Sequence, residues 1–421
     1  MPSPPGFPRS LLTQPWSARL AHFQRYTVAH PRLIEAKEKL VAAIQNSEPN
    51  SLVFVFGPTG VGKTTLRLKA EQILTAELRE ELEQDRGRLA VVSVEAVAPE
   101  SGSFSWRDHF KRLLLQMNEP LIEYKQDLQT GFVMRSPPRP KPTAGEYRYG
   151  VEQALRFRRP AAVMIDEAQH LAKIASGRRL LDQLDVIKSI ANQTQTIHVL
   201  YGTYDLLAFR NLNGQLSRRS IDIHFSRYRA KCAADRKAFV NVLNSFAQQL
   251  PVPDPPDLSH DWEFLYERSI GCVGVVKQWL IRALSVALRT GEATLSRRNL
   301  ETQAPSVAQA DKIVSEASEG EMRLVDSNEA AQRLREQLGL APLKLSRQSA
   351  DNKRQPVQAL GPPNQPPTWA SKASAGRRRK TGTPACCPRL RLGALPRSRS
   401  RREAGSIRWR RLESALPSLR V

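Results

Sequence analysis

The sequence predicts a doubly wound α/β fold on a five-stranded parallel sheet, followed by a small C-terminal α-helical lid and a disordered basic tail. Three observations predict it. Short apolar runs recur through the first 225 residues, separated by stretches with apolar positions at helical spacing, the rhythm of strands joined by crossover helices. After Tyr228 the short runs stop and helical patterns alone continue. Residues 342–421 hold ten prolines, little periodicity and the run Arg377-Arg-Arg-Lys380, a composition that argues for disorder.

Residues 1–30 read as a poorly ordered arm with a helical piece around Trp16–Gln24. After Pro31, the residues Leu33, Ala36, Leu40, Ala43 and Ile44 recur at helical spacing. Pro31 falls in the first turn, where a missing N–H costs little. Ser51–Gly57 is an apolar run ending in glycine and reads as a buried parallel strand. A helix is predicted from Thr64 to about Gln84, a second strand over Leu89–Val94, and a helix with a basic face over Trp106–Met117. Residues 118–143 form an irregular insertion with clustered prolines. Helix Ala144–Phe157 leads into a third strand, Ala161–Glu167. Helix Leu180–Asn192 leads into a fourth, Thr196–Tyr201, and the alternating Ser220–Phe225 is a fifth. Helices are then expected over Arg229–Leu250, Trp262–Arg268, Val275–Leu288 and about Pro305–Ala317, with an amphipathic piece at Asn328–Leu338. The expected divisions are an arm at 1–30, an α/β domain at 31–228, a helical lid at 229–340 and a tail at 341–421.

Charge and composition narrow the classes. The 421 residues are 40% hydrophobic and 25% charged, enough for two or three packed domains. Lys and Arg total 64 against 41 Asp and Glu, a net +23. Residues 341–421 hold 19 basic and 3 acidic residues, so the tail carries +16 and the body +7. This imbalance points to nucleic acid or another polyanion. The tail also reads as a flexible appendage without a defined partner, or as sequence out of its ancestral frame. No stretch approaches 18 uncharged apolar residues, so no transmembrane helix and no membrane partner are expected. The N-terminus lacks the charged start and apolar run of a signal peptide. Cys232, Cys272, Cys386 and Cys387 form no C-x-x-C pair, and a cytoplasmic, reducing setting is expected.

Two motifs carry the chemistry. Gly57, Pro58, Thr59, Gly60, Val61, Gly62, Lys63 and Thr64 match G-x-x-x-x-G-K-[ST] between a predicted strand and a predicted helix, the setting of a phosphate-binding loop. The glycines let backbone N–H groups face a β-phosphate. Lys63 reaches the β- and γ-phosphates and Thr64 offers a hydroxyl to Mg²⁺; Thr65 completes the nucleotide contacts. ATP and Mg²⁺ are the expected cofactors. Asp166 and Glu167 end the third strand, at the sheet edge where ligands bind. Asp166 is the candidate for holding Mg²⁺ through water, and Glu167 for polarising the attacking water. Thr203 ends the fourth strand and is the candidate for touching the γ-phosphate or the water; a threonine capping the next helix is the alternative. Arg218 and Arg219 precede the fifth strand and are candidates for completing a neighbouring subunit's site, against a plain solvated pair.

This order of strand, phosphate loop, Asp166-Glu-Ala-Gln-His-Leu171, Gly202-Thr-Tyr204 and paired arginines resembles AAA+ P-loop ATPases. Within them it is most similar to the transposition ATPases of the TniB/TnsC type, over about Tyr26 to Leu288. Secretion ATPases share Asp-Glu-Ala-Gln-His. The resemblance implies an ATP-hydrolysing protein that assembles as a homo-oligomeric ring or filament on duplex DNA and communicates target choice to a transposase, with a target-selection protein as a further partner. It also implies a base contact from the N-terminal linker, where Val28, Ala29 and His30 match. A second sensor is expected in the glycine-containing turn Ile270–Lys277. The usual arginine is missing there, and Lys277 is the substitute.

Arg107, Lys111 and Arg112 share much of one helix face. Inserted loops in that region often line the pore of AAA+ rings, so these residues are the candidate contacts to DNA phosphates. Arg135, Arg139 and Lys141 are rivals, and a solvated face is the plain alternative. Among other functions, a non-DNA ATPase of a secretion or assembly process is the main alternative. A P-loop phosphotransferase would want an arginine-bearing acceptor lid. A nucleotide-locked adaptor would not need Glu167.

Overall fold

The computed structural model describes residues 6–98, 104–122, 142–172, 178–210, 220–325 and 328–340. The predicted Arg218 and Arg219, the rival Arg135, Arg139 and Lys141, and the tail beyond Leu340 lie outside the described residues.

Five strands, β1 (Leu52–Phe56), β2 (Val91–Glu95), β3 (Ala162–Asp166), β4 (Ile197–Gly202) and β5 (Ser220–His224), form one parallel sheet in the order β2-β3-β4-β1-β5. Burial follows position in the sheet. Every residue of the inner strands β1, β3 and β4 is buried, whereas β2 and β5, at the edges, are only partly covered. An inner strand is covered on both faces and so must be apolar throughout. The register sets Phe56 opposite Gly202 and His224, and Glu95 opposite Asp166. The C-terminal strand ends therefore meet at one edge, where the phosphate loop starts.

Alternate strand residues enter two cores, as the two-residue period requires. Phe54, Phe56, Ile165 and Leu200 pack with α5 (Trp106–Gln116), α6 (Ala144–Arg158) and α7 (Arg178–Thr194). Val53, Val55, Met164 and Val199 pack on the other side with α2 (Pro31–Asn46) and α3 (Lys63–Glu77). Caps set several helix starts. Thr143 and Glu146 form a reciprocal capping box at α6. His30 caps α2, with Pro31 in the first turn.

Three details differ from the sequence expectation. The helix predicted over Thr64–Gln84 breaks at Leu78 into α3 and α4 (Arg79–Gln84). Residues 6–30 are not a loose arm: α1 (Trp16–Arg25) buries Phe23 edge-on to Phe246, with centroids 6.0 Å apart. Arg19 adds a hydrogen bond from Nε to the Pro251 carbonyl, 2.8 Å. Leu20 and Phe23, three apart, give this short helix one apolar face.

The third difference concerns the C-terminal helices. After the short α8 (Leu207–Arg210) and β5 come α9 (Ala233–Gln249), α10 (Trp262–Ser269) and α11 (Val273–Thr290), which share a core around Phe239, Phe246 and Trp279. A short α12 (Arg297–Thr302), not foreseen, is started by the Ser296–Asn299 capping box. Then α13 (Val307–Met322), longer than expected, returns to the sheet domain and buries Ala310 and Ala317 in the core below α5–α7. Glu321 fastens it, accepting bonds from Arg227 at 3.0 and 3.3 Å and from Arg229 at 3.3 Å. The last helix is α14 (Asn328–Gln337). Among the described residues no single helix is long and apolar enough to cross a membrane.

Three buried histidines predict the acid response. Burial lowers His30, His109 and His198 to about 4, against about 6.5 in an unfolded chain. The folded pKa is depressed, so between pH 6.5 and 4 the unfolded state binds more protons. The stability contribution is complete above about pH 6.5 and is lost as pH falls toward 4, with a slope approaching about 1.4 kcal/mol per pH unit for each histidine. Thermal unfolding followed from pH 7.5 to 4.5 should show this fall, and His109→Leu should make it shallower. A midpoint flat between pH 6.5 and 5 would contradict it.

Candidate nucleotide site

The site grows from the turn between β1 and α3. Gly60 and Gly62 take φ of +77° and +113°, left-handed values that side chains resist. They curl the loop back so that Gly62 begins α3 with no side chain capping the first turn. An uncapped helix start presents unpaired N–H groups and suits an anion.

Lys63 follows at once. Its ammonium is buried and donates to the carbonyls of Gly57 and Pro58, both at 3.0 Å. Carbonyls orient the cation without neutralising it. Burial pushes its pKa down, while the carboxylates of Glu167 and Asp166 push it back up. Asp166, at the end of β3, accepts from Thr64 Oγ1 at 3.1 Å and from Arg67 Nε at 3.2 Å. The paired hydroxyl and carboxylate fit a hard divalent cation, which takes oxygen ligands. Arg67 also pairs with Glu71. It was not singled out in the sequence, although it lies one turn beyond Lys63 on the same helix.

Glu167 sits just past the strand with φ +52°, and its N–H bonds Asp166 Oδ1 at 3.0 Å. Its carboxylate accepts a bond from Gln169, a residue the sequence reading passed over inside Asp-Glu-Ala-Gln-His. Thr203 takes the alternative foreseen for it. Its hydroxyl donates to Asp205 at 3.1 Å and accepts from the Asp205 N–H at 3.4 Å, capping the short turn at Tyr204.

Three cavities meet at the loop. One lies beside Pro58, Thr59 and Thr203 and is closed on its far side by α13. A second is bounded by Thr64, Asp166 and Glu167. The third is small, and is lined by Val28, His30, Val61, Gly62, Thr65 and Lys277 with Phe225. The His30 ring stacks on Phe225 with 21° between planes. Its Nδ1 accepts from the Leu33 N–H at 3.4 Å and lies 3.0 Å from the Tyr228 hydroxyl. A backbone N–H can only donate, so the ring is neutral with its proton on Nε2, in accord with its depressed pKa.

A family model described as an AAA domain matches residues 46–209. The fold is that of an AAA+ P-loop NTPase. No curated protein matches the chain by sequence. Among solved structures the chain is similar to the Aeropyrum pernix ORC2 protein in its ADPNP–ADP complexes, at 14% identity and a TM-score of 0.46, over 77% of this chain and 86% of that one. It is similar to the Aeropyrum pernix ORC1 protein in complex with DNA, at 18% identity and 0.44, over 70% and 68% of the two chains. It is also similar to the Thermotoga maritima RuvB Holliday junction branch migration motor, at 14% identity and 0.32, over 64% and 66%.

In this AAA+ fold two of the expected residues have partners within the chain. Lys277, the substitute second sensor, donates to the carbonyls of Gln24 at 2.9 Å and Tyr26 at 2.6 Å. It borders the third cavity and ties α11 to the N-terminal segment. Arg112 is paired with Asp108 at 2.6 Å, one turn back on α5, which reduces the net charge of the predicted stripe. Arg107 is exposed and Lys111 half-buried on the same helix, whose other face packs Phe110, Leu113 and Leu114 into the core.

The start of α11 rests directly on the loop. A Cβ on Gly274 would lie 2.5 Å from the Gly60 carbonyl oxygen, too close for any side chain. Gly274→Val should force the helix off the loop, lowering stability by about 1–3 kcal/mol and weakening nucleotide affinity. Thermal melting and titration with a fluorescent nucleotide would check this. Wild-type values in both would show that the close approach does not matter.

Proposed function

We propose that the chain binds ATP with Mg²⁺, hydrolyses it, and acts in DNA transposition as an oligomer on duplex DNA that communicates target choice to a transposase. The observation that carries the catalytic part is the convergence of Lys63, Thr64, Asp166 and Glu167 on one loop. Lys63 and the uncapped start of α3 receive a polyphosphate. Thr64 and Asp166 would hold Mg²⁺, which when bound adds charge stabilisation at the phosphates. Glu167 accepts the proton of the attacking water.

The transposition part is supported by the sequence order from Asp166 through Thr203 and by the basic balance of the chain. In this reading Arg107, Lys111 and Arg112 face duplex phosphates, and Arg218 or Arg219 completes the site of the next subunit. Repetition of a few contacts per copy along the duplex supplies the affinity. ATP affects DNA binding by aligning the copies.

The test is phosphate release by the full-length protein with and without duplex DNA. Lys63→Ala should lose nucleotide binding. Glu167→Gln should bind ATP and lose about 100-fold or more in rate. Arg107→Glu combined with Lys111→Glu should lose the stimulation by DNA while keeping the DNA-free rate. Wild-type turnover in Glu167→Gln would overturn the catalytic assignment. A rate indifferent to DNA in every variant would overturn the DNA role.

A further inference from the structure

The Gln169 side chain is buried and bonded at both ends. Its Nε2 donates to Glu167 Oε2, and its Oε1 accepts from the Thr203 N–H at 3.3 Å. The chemistry of the partners fixes which way the amide points. A carboxylate only accepts and a backbone N–H only donates, so the nitrogen must face Glu167 and the oxygen Thr203. No other orientation satisfies both bonds.

The surrounding backbone is shaped for this contact. Gln169 lies in the short 3-10 turn Ala168–Leu171 that follows β3. It reaches across to the end of β4 at Gly202, where a Cβ would sit 2.5 Å from Gln169 Oε1. Glycine at 202 leaves the room that the amide occupies. Glu167 itself is the left-handed residue that opens this turn, and its side chain makes no capping bond to it, so the turn does not by itself fix its carboxylate. Thr203, the other anchor, is held by its cap on Asp205 and faces the cavity beside Pro58 and Thr59. Gln169 borders the same cavity.

We propose that Gln169 is a positioning residue for ATP hydrolysis, orienting the Glu167 carboxylate toward the attacking water by a hydrogen bond that is itself anchored on the end of β4. It does not touch the nucleotide. Displacement of Thr203 is passed to Glu167 through the amide. This rests on the assignment of Glu167 as the group that activates water.

The experiment compares Gln169→Ala, Gln169→Glu and Glu167→Gln in the full-length chain with ATP, Mg²⁺ and duplex DNA. Nucleotide affinity, KM, kcat and melting temperature are measured for each. Loss of an orienting contact typically costs on the order of 10- to 100-fold. Gln169→Ala should lose that much in kcat, with KM and ATP affinity within about twofold of wild type. Gln169→Glu has nearly the same shape but, ionised, cannot donate to a carboxylate. It should lose kcat at least as severely, which a purely space-filling role would not require. If Glu167→Gln abolishes turnover while either Gln169 variant keeps wild-type kcat, this proposal fails and the catalytic reading stands. If affinity and KM change in step with kcat, Gln169 serves binding or folding and the proposal also fails. If Glu167→Gln turns over normally, both fail together.

Discussion

The buried ammonium of Lys63 is the constraint around which the rest of the site is arranged. A cation taken out of water is expensive unless charge or strong dipoles compensate it. Here the loop supplies two carbonyls, while the carboxylates of Asp166 and Glu167 act on it from the end of β3. The two acids are in turn occupied elsewhere: Asp166 by Thr64 and Arg67, Glu167 by Gln169. The cation is thus held in place with its charge only partly answered. A polyphosphate supplies the missing negative charge, and the uncapped start of α3 points its N–H groups to the same place.

Elements from distant parts of the chain border the loop. Gly274 brings the start of α11 onto Gly60. Lys277, three residues on, grips the carbonyls ahead of His30, so α11 and the N-terminal segment meet beside the cavity lined by His30 and Gly62. On the opposite side α13 closes the cavity beside Thr59 and Thr203, fastened through Glu321 to Arg227 and Arg229. Arg227 also donates to the Ile270 carbonyl at 3.4 Å, in the turn leading to α11. Both N-terminal and C-terminal helices therefore lie beside the cavities at this one loop.

The sheet was legible because the inner strands are continuously apolar and short, and the phosphate loop because its glycines and lysine have fixed offsets. Asp166 and Glu167 were legible from their place at a strand end. Other parts depend on contacts between residues far apart in the chain, which no local pattern records. Thr203 carries the same hydroxyl whether it caps a turn or faces a phosphate, and only the nearness of Asp205 in the folded turn settles that it caps. The carbonyls that Lys277 bonds lie some 250 residues earlier, beyond any local pattern. The return of α13 to the sheet domain is invisible for the same reason: its apolar positions give it a face but not a partner. Gln169 and Arg67 had local signals, one two residues past Glu167 and the other one turn past Lys63, yet ordinary polar residues at such spacings are common.

The central claim is that this loop holds the β-phosphate of a nucleotide through Lys63 and the start of α3. Calorimetric titration of the wild-type chain with ATP, ADP and AMP in the presence of Mg²⁺ tests it directly. The account predicts saturable binding of ATP and ADP and at least a hundredfold weaker binding of AMP, about 2.7 kcal/mol or more. Equal affinity for all three would mean that the β-phosphate contributes nothing to recognition, and would contradict the claim.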